Sequence, residues 1–282
     1  MRFAVAAVLL FACTATVPGE PGAAPSDDGD APPPMLPVGT EATLGSAWTS
    51  VGFGVAYQQV NAGSAILIAY GGYTAKLAYS ASWASELVDA RLGAVGVGQI
   101  YAVQGPEDPG YDAKEIGNSK LRAHLATIDD GTSPIYVVAH SSGSYVADEL
   151  FAQLERAGST DVLARVGYAD LDGGGGLTST LVDTMRAATF ASAHDPTLAQ
   201  GYSENHSTAV ALADDYAPHA TSYLVSVPDT GCTSGAGWCM HDVLITHRPH
   251  LDYTYDLADD YTDFTNRAPT IEYLDSLIPT EP

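Results

Sequence analysis

Ser141 stands in a four-residue corner, His140-Ser141-Ser142-Gly143, between two segments of different periodicity. Before the corner, Ile135 to Ala139 is short, apolar and β-branched, as a buried strand is. After it, from Tyr145, apolar residues recur at Val146, Leu150 and Leu154, which is helical spacing. A strand that turns at once into a helix forces its apex residue into a strained backbone conformation. Any sizeable side chain on either flank would clash there, and Ala139 and Gly143 supply small ones. The apex hydroxyl is then pushed out of the sheet above a helix N-terminus, whose dipole favours negative charge. The chemistry this suits is nucleophilic attack. A serine hydroxyl is a poor nucleophile at neutral pH, so it needs a base to take its proton and a carboxylate to orient that base.

This corner resembles the nucleophile elbow of the α/β-hydrolase family. The family pattern is Gly-x-Ser-x-Gly; here it reads Ala139-His140-Ser141-Ser142-Gly143, with alanine in the first glycine position. The resemblance implies the chain order serine, acid, histidine, each at the carboxyl end of a strand. On that order Asp195, just beyond an Ala187–Ala193 strand, is the expected acid, with Asp170 and Asp172 as rivals one strand earlier and Asp229 the remaining choice. The base must follow the last strand, where His241, His247 and His250 lie beyond Val227. His241 is preferred because Cys232 and Cys239, read as a disulfide, would clamp the loop just before it and hold the imidazole in place. His140, adjacent to the serine, projects differently and is expected to pack against neighbouring loops. The resemblance also implies an oxyanion hole. One donor is the backbone amide of Ser142. The second comes from Tyr70-Gly71-Gly72-Tyr73, with Tyr73 the first choice and Gly72 the second.

Positioning these residues requires a particular order of elements. Trp48 to Val60 alternates weakly and predicts strands or a hairpin. Buried strands are expected at Ser64–Tyr70, Val95–Val103, Ile135–Ala139, Ala164–Ala169, Ala187–Ala193 and Thr221–Val227. Helices are expected at Ser82–Leu92, Ala113–Ile128, from Tyr145, at Thr178–Met185 and at Ser207–Tyr216. Such alternation predicts a mostly parallel central sheet with helices on both faces and no insertion long enough for a large lid domain; the resemblance implies that this is the α/β-hydrolase fold.

The chain has 282 residues, 46% of them hydrophobic, enough for one domain with a large core. Its formal net charge of −23 repels nucleic acid and anionic membranes, which are discounted as partners. The Gly173–Gly176 run lacks the lysine of a phosphate loop, and no cofactor is implied. Leu251 to Phe264 is dense in Asp and Tyr but lacks EF-hand spacing, so a solvated acidic face is preferred there to a calcium site.

The ends divide the chain into residues 1–13, 14–44 and 45–282. Arg2 followed by the apolar run Phe3–Ala12 has the form of an export signal. Its end, Leu10-Phe11-Ala12-Cys13, resembles a bacterial lipoprotein box in which Cys13 would carry lipid, with plain secretion the alternative. Residues 14–44 are rich in Pro, Gly, Ala and Asp and read as a tether. Residues 45–282 are then the catalytic domain. The resemblance implies an exported serine esterase acting on a small-molecule or lipid-like ester, and an uncapped site suggests accessible or short-chain substrates. A peptidase or amidase with the same triad, and an inactive surface binding module, are the other readings.

Overall fold

The computed structural model describes residues 44–73, 75–90, 96–106, 113–171, 173, 181, 184–194 and 220–227; over 188–194 and 220–227 it describes the backbone. Eight strands form one sheet: β1 Thr49–Gly52, β2 Val55–Gln59, β3 Ala65–Tyr70, β4 Val97–Val103, β5 Ile135–His140, β6 Val166–Leu171, β7 Arg186–His194 and β8 Ala220–Val227. Their order is β1-β2-β4-β3-β5-β6-β7-β8. β1 and β2 form an antiparallel hairpin, and β2 runs antiparallel to β4. All the other pairings, from β4 through β3, β5, β6 and β7 to β8, are parallel.

The four helices with described bounds are α1 Leu77–Ala90, α2 Ala113–Ile128, α3 Gly143–Arg156 and the short α4 Thr160–Leu163. Every residue of β3, β5 and β6 is buried, which explains why these strands read as continuous apolar runs rather than alternating ones. The alternation appears instead in which core each residue joins. Ile66, Ile68 and Tyr70 of β3 and Ile135, Val137 and Ala139 of β5 pack with Leu121 and Leu125 of α2 and Val146, Leu150 and Leu154 of α3. The intervening Leu67, Ala69 and Val138 are equally buried on the opposite face, where α1 brings Trp83 and Leu87 against β3 and β4. Helices therefore cover both faces.

α2 and α3 are also tied by polar contacts inside this layer. Asn118 donates from Nδ2 to the Val146 carbonyl at 2.7 Å and accepts from the Tyr70 hydroxyl at 2.8 Å. A buried amide satisfied from both sides fixes the helix pair against β3 more specifically than apolar packing does.

The observed elements differ from the expected ones at a few ends. α1 begins at Leu77, five residues before the expected Ser82, because the Lys76 carbonyl already accepts from the amides of Tyr79 and Ser80. Ser82 and Ser85 lie inside the helix, and Ser85 returns its hydroxyl to the Ala81 carbonyl, so these serines do not cap it. α4 was not anticipated; four residues are too few to show a period. Leu181 and Thr184 are helical, in keeping with the helix expected at Thr178–Met185. The helix expected at Ser207–Tyr216 lies outside the described residues. Among the described residues there is no lid domain and no helix long and apolar enough to cross a membrane.

Candidate active site

The turn from β5 into α3 is as abrupt as its residues required. Ser141 has φ +54°, a left-handed conformation that costs an L-residue roughly 1–2 kcal/mol. Its surroundings hold it there. The Ser141 amide donates to the Leu171 carbonyl at 2.9 Å, and the Ser141 carbonyl accepts from the Ser144 amide at 3.1 Å and the Ser144 hydroxyl at 2.8 Å. Ser142 takes helical angles and occupies the N-cap of α3 without lending it a side-chain hydrogen bond. First-turn amides of a helix have no partner within the helix, and that of Ser144 is taken by the Ser141 carbonyl just ahead of α3.

The loop after β3 closes on the same point. A Cβ on Gly72 would stand 3.0 Å from His140 Nδ1 and 3.1 Å from Ser141 Cβ, so the glycine backbone lies directly against the serine. A Cβ on Gly143 would stand 2.5 Å from the Gly71 carbonyl oxygen and 2.8 Å from that of Tyr70. The glycine two places after the serine thus lets the helix start slide under the β3 loop. Within this loop the Gly71 amide is committed to the Val103 carbonyl at 3.0 Å, and the Gly72 carbonyl accepts from the Ala75 amide at 3.0 Å. Gly71 is therefore spoken for, and Gly72 and Tyr73 are the loop's candidate donors toward Ser141. His140 is buried with its ring against Gly72.

Comparison with solved structures finds the same architecture. A bacterial esterase/lipase from an uncultured bacterium superposes with a TM-score of 0.50 at 11% identity, covering 86% of this chain and 94% of that one. A hormone-sensitive lipase from a metagenome library superposes with a TM-score of 0.51 at 12% identity, covering 84% and 86%. The chain has the α/β-hydrolase fold. No protein-family model and no curated protein sequence matches it, so the likeness is one of architecture.

In the hydrolase fold the acid and base are sought at the carboxyl ends of the strands beyond the elbow. Asp170 is the one candidate acid within the described residues. It is 3% exposed, near the end of β6, in register with Ala139 on one side and Thr189 on the other. It shares its face with Val166 and Tyr168, which pack toward α3. A Cβ on Gly173 would collide with Asp170 Oδ1 and stand 2.7 Å from Ser144 Cβ. The Asp170 carboxylate therefore sits under the elbow, against the first turn of α3. Burial, and then the nearby charges of Asp170 and Asp148, hold the Tyr168 hydroxyl well above its usual pKa.

Asp195 is the residue that follows β7, and the segment containing His241 follows β8; β7 and β8 end side by side, with His194 opposite Val227. Asp195 and His241 themselves lie outside the described residues. So do Asp172, Asp229, His247, His250, Cys13, Cys232, Cys239 and the acidic stretch Leu251–Phe264.

Sequence reasoning passed over one further feature of the site's surroundings. Among the described residues the exposed large hydrophobic side chains are Phe53, Tyr73, Ile116 and Tyr145. Tyr73 is in the loop after β3, and Tyr145 is in the first turn of α3. Phe53 forms the β1–β2 turn, flanked by Gly52 and Gly54, which also have positive φ. An aromatic residue between two turn glycines was the available signal.

Proposed function

We propose that this protein is a serine hydrolase cleaving carboxylic esters through an acyl-enzyme on Ser141. The observation that carries the reading is the left-handed Ser141 at a strand-to-helix turn, with Gly72 against its side chain. In this mechanism His241, oriented by Asp195, takes the Ser141 proton as the hydroxyl oxygen attacks the acyl carbonyl. The resulting oxyanion is held by the amides of Ser142 and of Tyr73 or Gly72. The tetrahedral intermediate collapses, the alcohol leaves with the proton from His241, and the acyl group stays on Ser141. Water, deprotonated by the same imidazole, then attacks the ester and releases the carboxylic acid. Asp195 is preferred to Asp170 because Asp170 faces α3 beneath the elbow.

Replacement of Ser141 by Ala is expected to abolish hydrolysis of p-nitrophenyl acetate and labelling by a fluorophosphonate, with the melting temperature nearly unchanged. Full activity in that variant would refute the assignment. Amide substrates assayed beside esters distinguish the peptidase reading. Failure of the native protein to label would favour an inactive binding module.

We also propose export, with residues 1–13 removed or lipidated at Cys13 and residues 14–44 as a tether, and a Cys232–Cys239 disulfide. Mass spectrometry of the mature protein, with and without reduction, tests the terminal processing and the disulfide.

A further inference from the structure

Phe53 and Ser141 are the two non-glycine residues with positive φ among those described. A bulky residue held left-handed is a true conformational outlier, since glycine or asparagine would occupy the site at lower cost. Such strain tends to persist where a side chain is needed. Phe53 is not needed by the core, because it is 54% exposed.

Its location follows from strand direction. β2 is antiparallel to β4, with Val55 opposite Val103, so the β1–β2 turn lies at the carboxyl end of β4. The Gln104 amide, just past that end, donates to the Gly54 carbonyl at 2.8 Å. The register continues from Val103 to Tyr70 and from Tyr70 to Ala139. Phe53 and Ser141 therefore stand at the same edge of the sheet, three strand positions apart, about 14 Å at ~4.8 Å per strand.

The elements along this edge carry exposed apolar residues. A Cβ on Gly117 would stand 2.9 Å from the Phe53 carbonyl oxygen, which brings the exposed Ile116 in the first turn of α2 beside the hairpin turn. The α2–α3 contact from Asn118 to Val146 places Ile116 and Tyr145 on neighbouring first turns. With Tyr73 on the β3 loop, the four exposed large hydrophobics of the described residues gather at the edge that carries the candidate nucleophile. The chain's net charge of −23 disfavours the approach of a carboxylate-bearing or phosphate-bearing occupant.

We infer that Tyr145, Ile116 and Phe53 form an apolar track leading from Ser141 that takes the uncharged hydrocarbon chain of the substrate, making medium-chain neutral esters better substrates than acetyl esters. This rests on the esterase reading above, and it departs from the short-chain expectation drawn from an uncapped site.

The test uses the full chain and the double variant Phe53→Asn, Ile116→Gln. Asparagine tolerates the left-handed turn and glutamine suits an exposed helix position, so folding should be retained, which a thermal melt checks. The kcat/KM ratio for p-nitrophenyl octanoate over p-nitrophenyl acetate, both below micelle concentrations, should fall about tenfold or more, with the acetate rate unchanged. Titration of 1-octanol into the Ser141→Ala protein should show saturable binding that weakens in a triple variant carrying all three substitutions. An unchanged ratio with unchanged octanol binding would overturn the track while leaving the esterase reading standing. An inactive native protein that still binds octanol through Phe53 and Ile116 would end the esterase reading but keep the track. An unchanged ratio together with lost binding to phosphatidylcholine vesicles, or with conversion of a dimer to a monomer, would also overturn it, assigning the residues to a surface or a second copy.

Discussion

Gly72 and Ser141 are in backbone-to-side-chain contact across two parallel strands: a Cβ on the glycine would lie 3.1 Å from that of the serine. β3 and β5 are neighbours in the sheet, with Tyr70 opposite Ala139, so each chain leaves its strand at the same level and turns toward the other. The candidate donor loop and the candidate nucleophile are thereby brought together by strand register.

Gly72→Ala should consequently separate function from stability. The added methyl meets the His140 ring and the Ser141 side chain rather than the apolar core, and the loop must give by a few tenths of an ångström. Esterase kcat/KM is expected to fall at least tenfold, with stability changed by no more than about 1 kcal/mol in a denaturant titration.

Gly143→Ala should do both kinds of damage. Its methyl would press on the carbonyl oxygens of Gly71 and Tyr70, which are backbone atoms and cannot rotate away. Overpacking of this kind costs roughly 1–3 kcal/mol. A clear drop in melting temperature together with loss of turnover is the expected result.

Ser141→Gly should stabilise the fold while ending catalysis. Glycine adopts φ +54° without steric cost, which relieves roughly 1–2 kcal/mol, against a chain-entropy loss of about 0.5–1 kcal/mol. A melting temperature at or above that of the native protein, and above that of Ser141→Ala, would show that the elbow stores strain. A lower one would refute it.

At the amino-terminal end of the parallel strands, Arg165 forks onto both carboxylate oxygens of Asp129 and donates to the Ser133 carbonyl at 2.6 Å. Both partners are largely buried, at 14% and 12% side-chain exposure. Arg165→Ala leaves a shielded carboxylate without its partner, so a loss of about 3 kcal/mol is expected. Because this network is at the far end of the sheet from Ser141, KM and kcat of the folded fraction should be unchanged.

The neighbouring Asp130 sets a pH dependence. Its carboxyl is held far below the usual carboxylate range by the Ser133 hydroxyl, then by the amides of Ser133 and Thr132. A folded pKa depressed below the unfolded one gives stabilisation that is complete above the unfolded pKa of about 3.9 and is lost as pH falls through the folded value. The difference in melting temperature between the native protein and Asp130→Asn should accordingly be constant from pH 5 to 7 and shrink below pH 4.

Much of this was legible in the chain itself. β3 and β5 are runs of apolar residues bounded by turn formers, and α2 spans the expected Ala113–Ile128. The elbow could be read because a strained turn between a strand and a helix tolerates few residue types, and Ala139, Ser141 and Gly143 are among them. Local sequence determined those elements because their signals are local: a period, a small residue, a breaker. What the tertiary structure decided is long-range. Strand order places Gly72 beside Ser141, turns Asp170 toward α3, and brings a glycine-flanked phenylalanine in the first hairpin to the edge that carries Ser141. None of these follows from spacing along the chain, because which strands become neighbours depends on how two separate layers of helices bury the sheet's two faces.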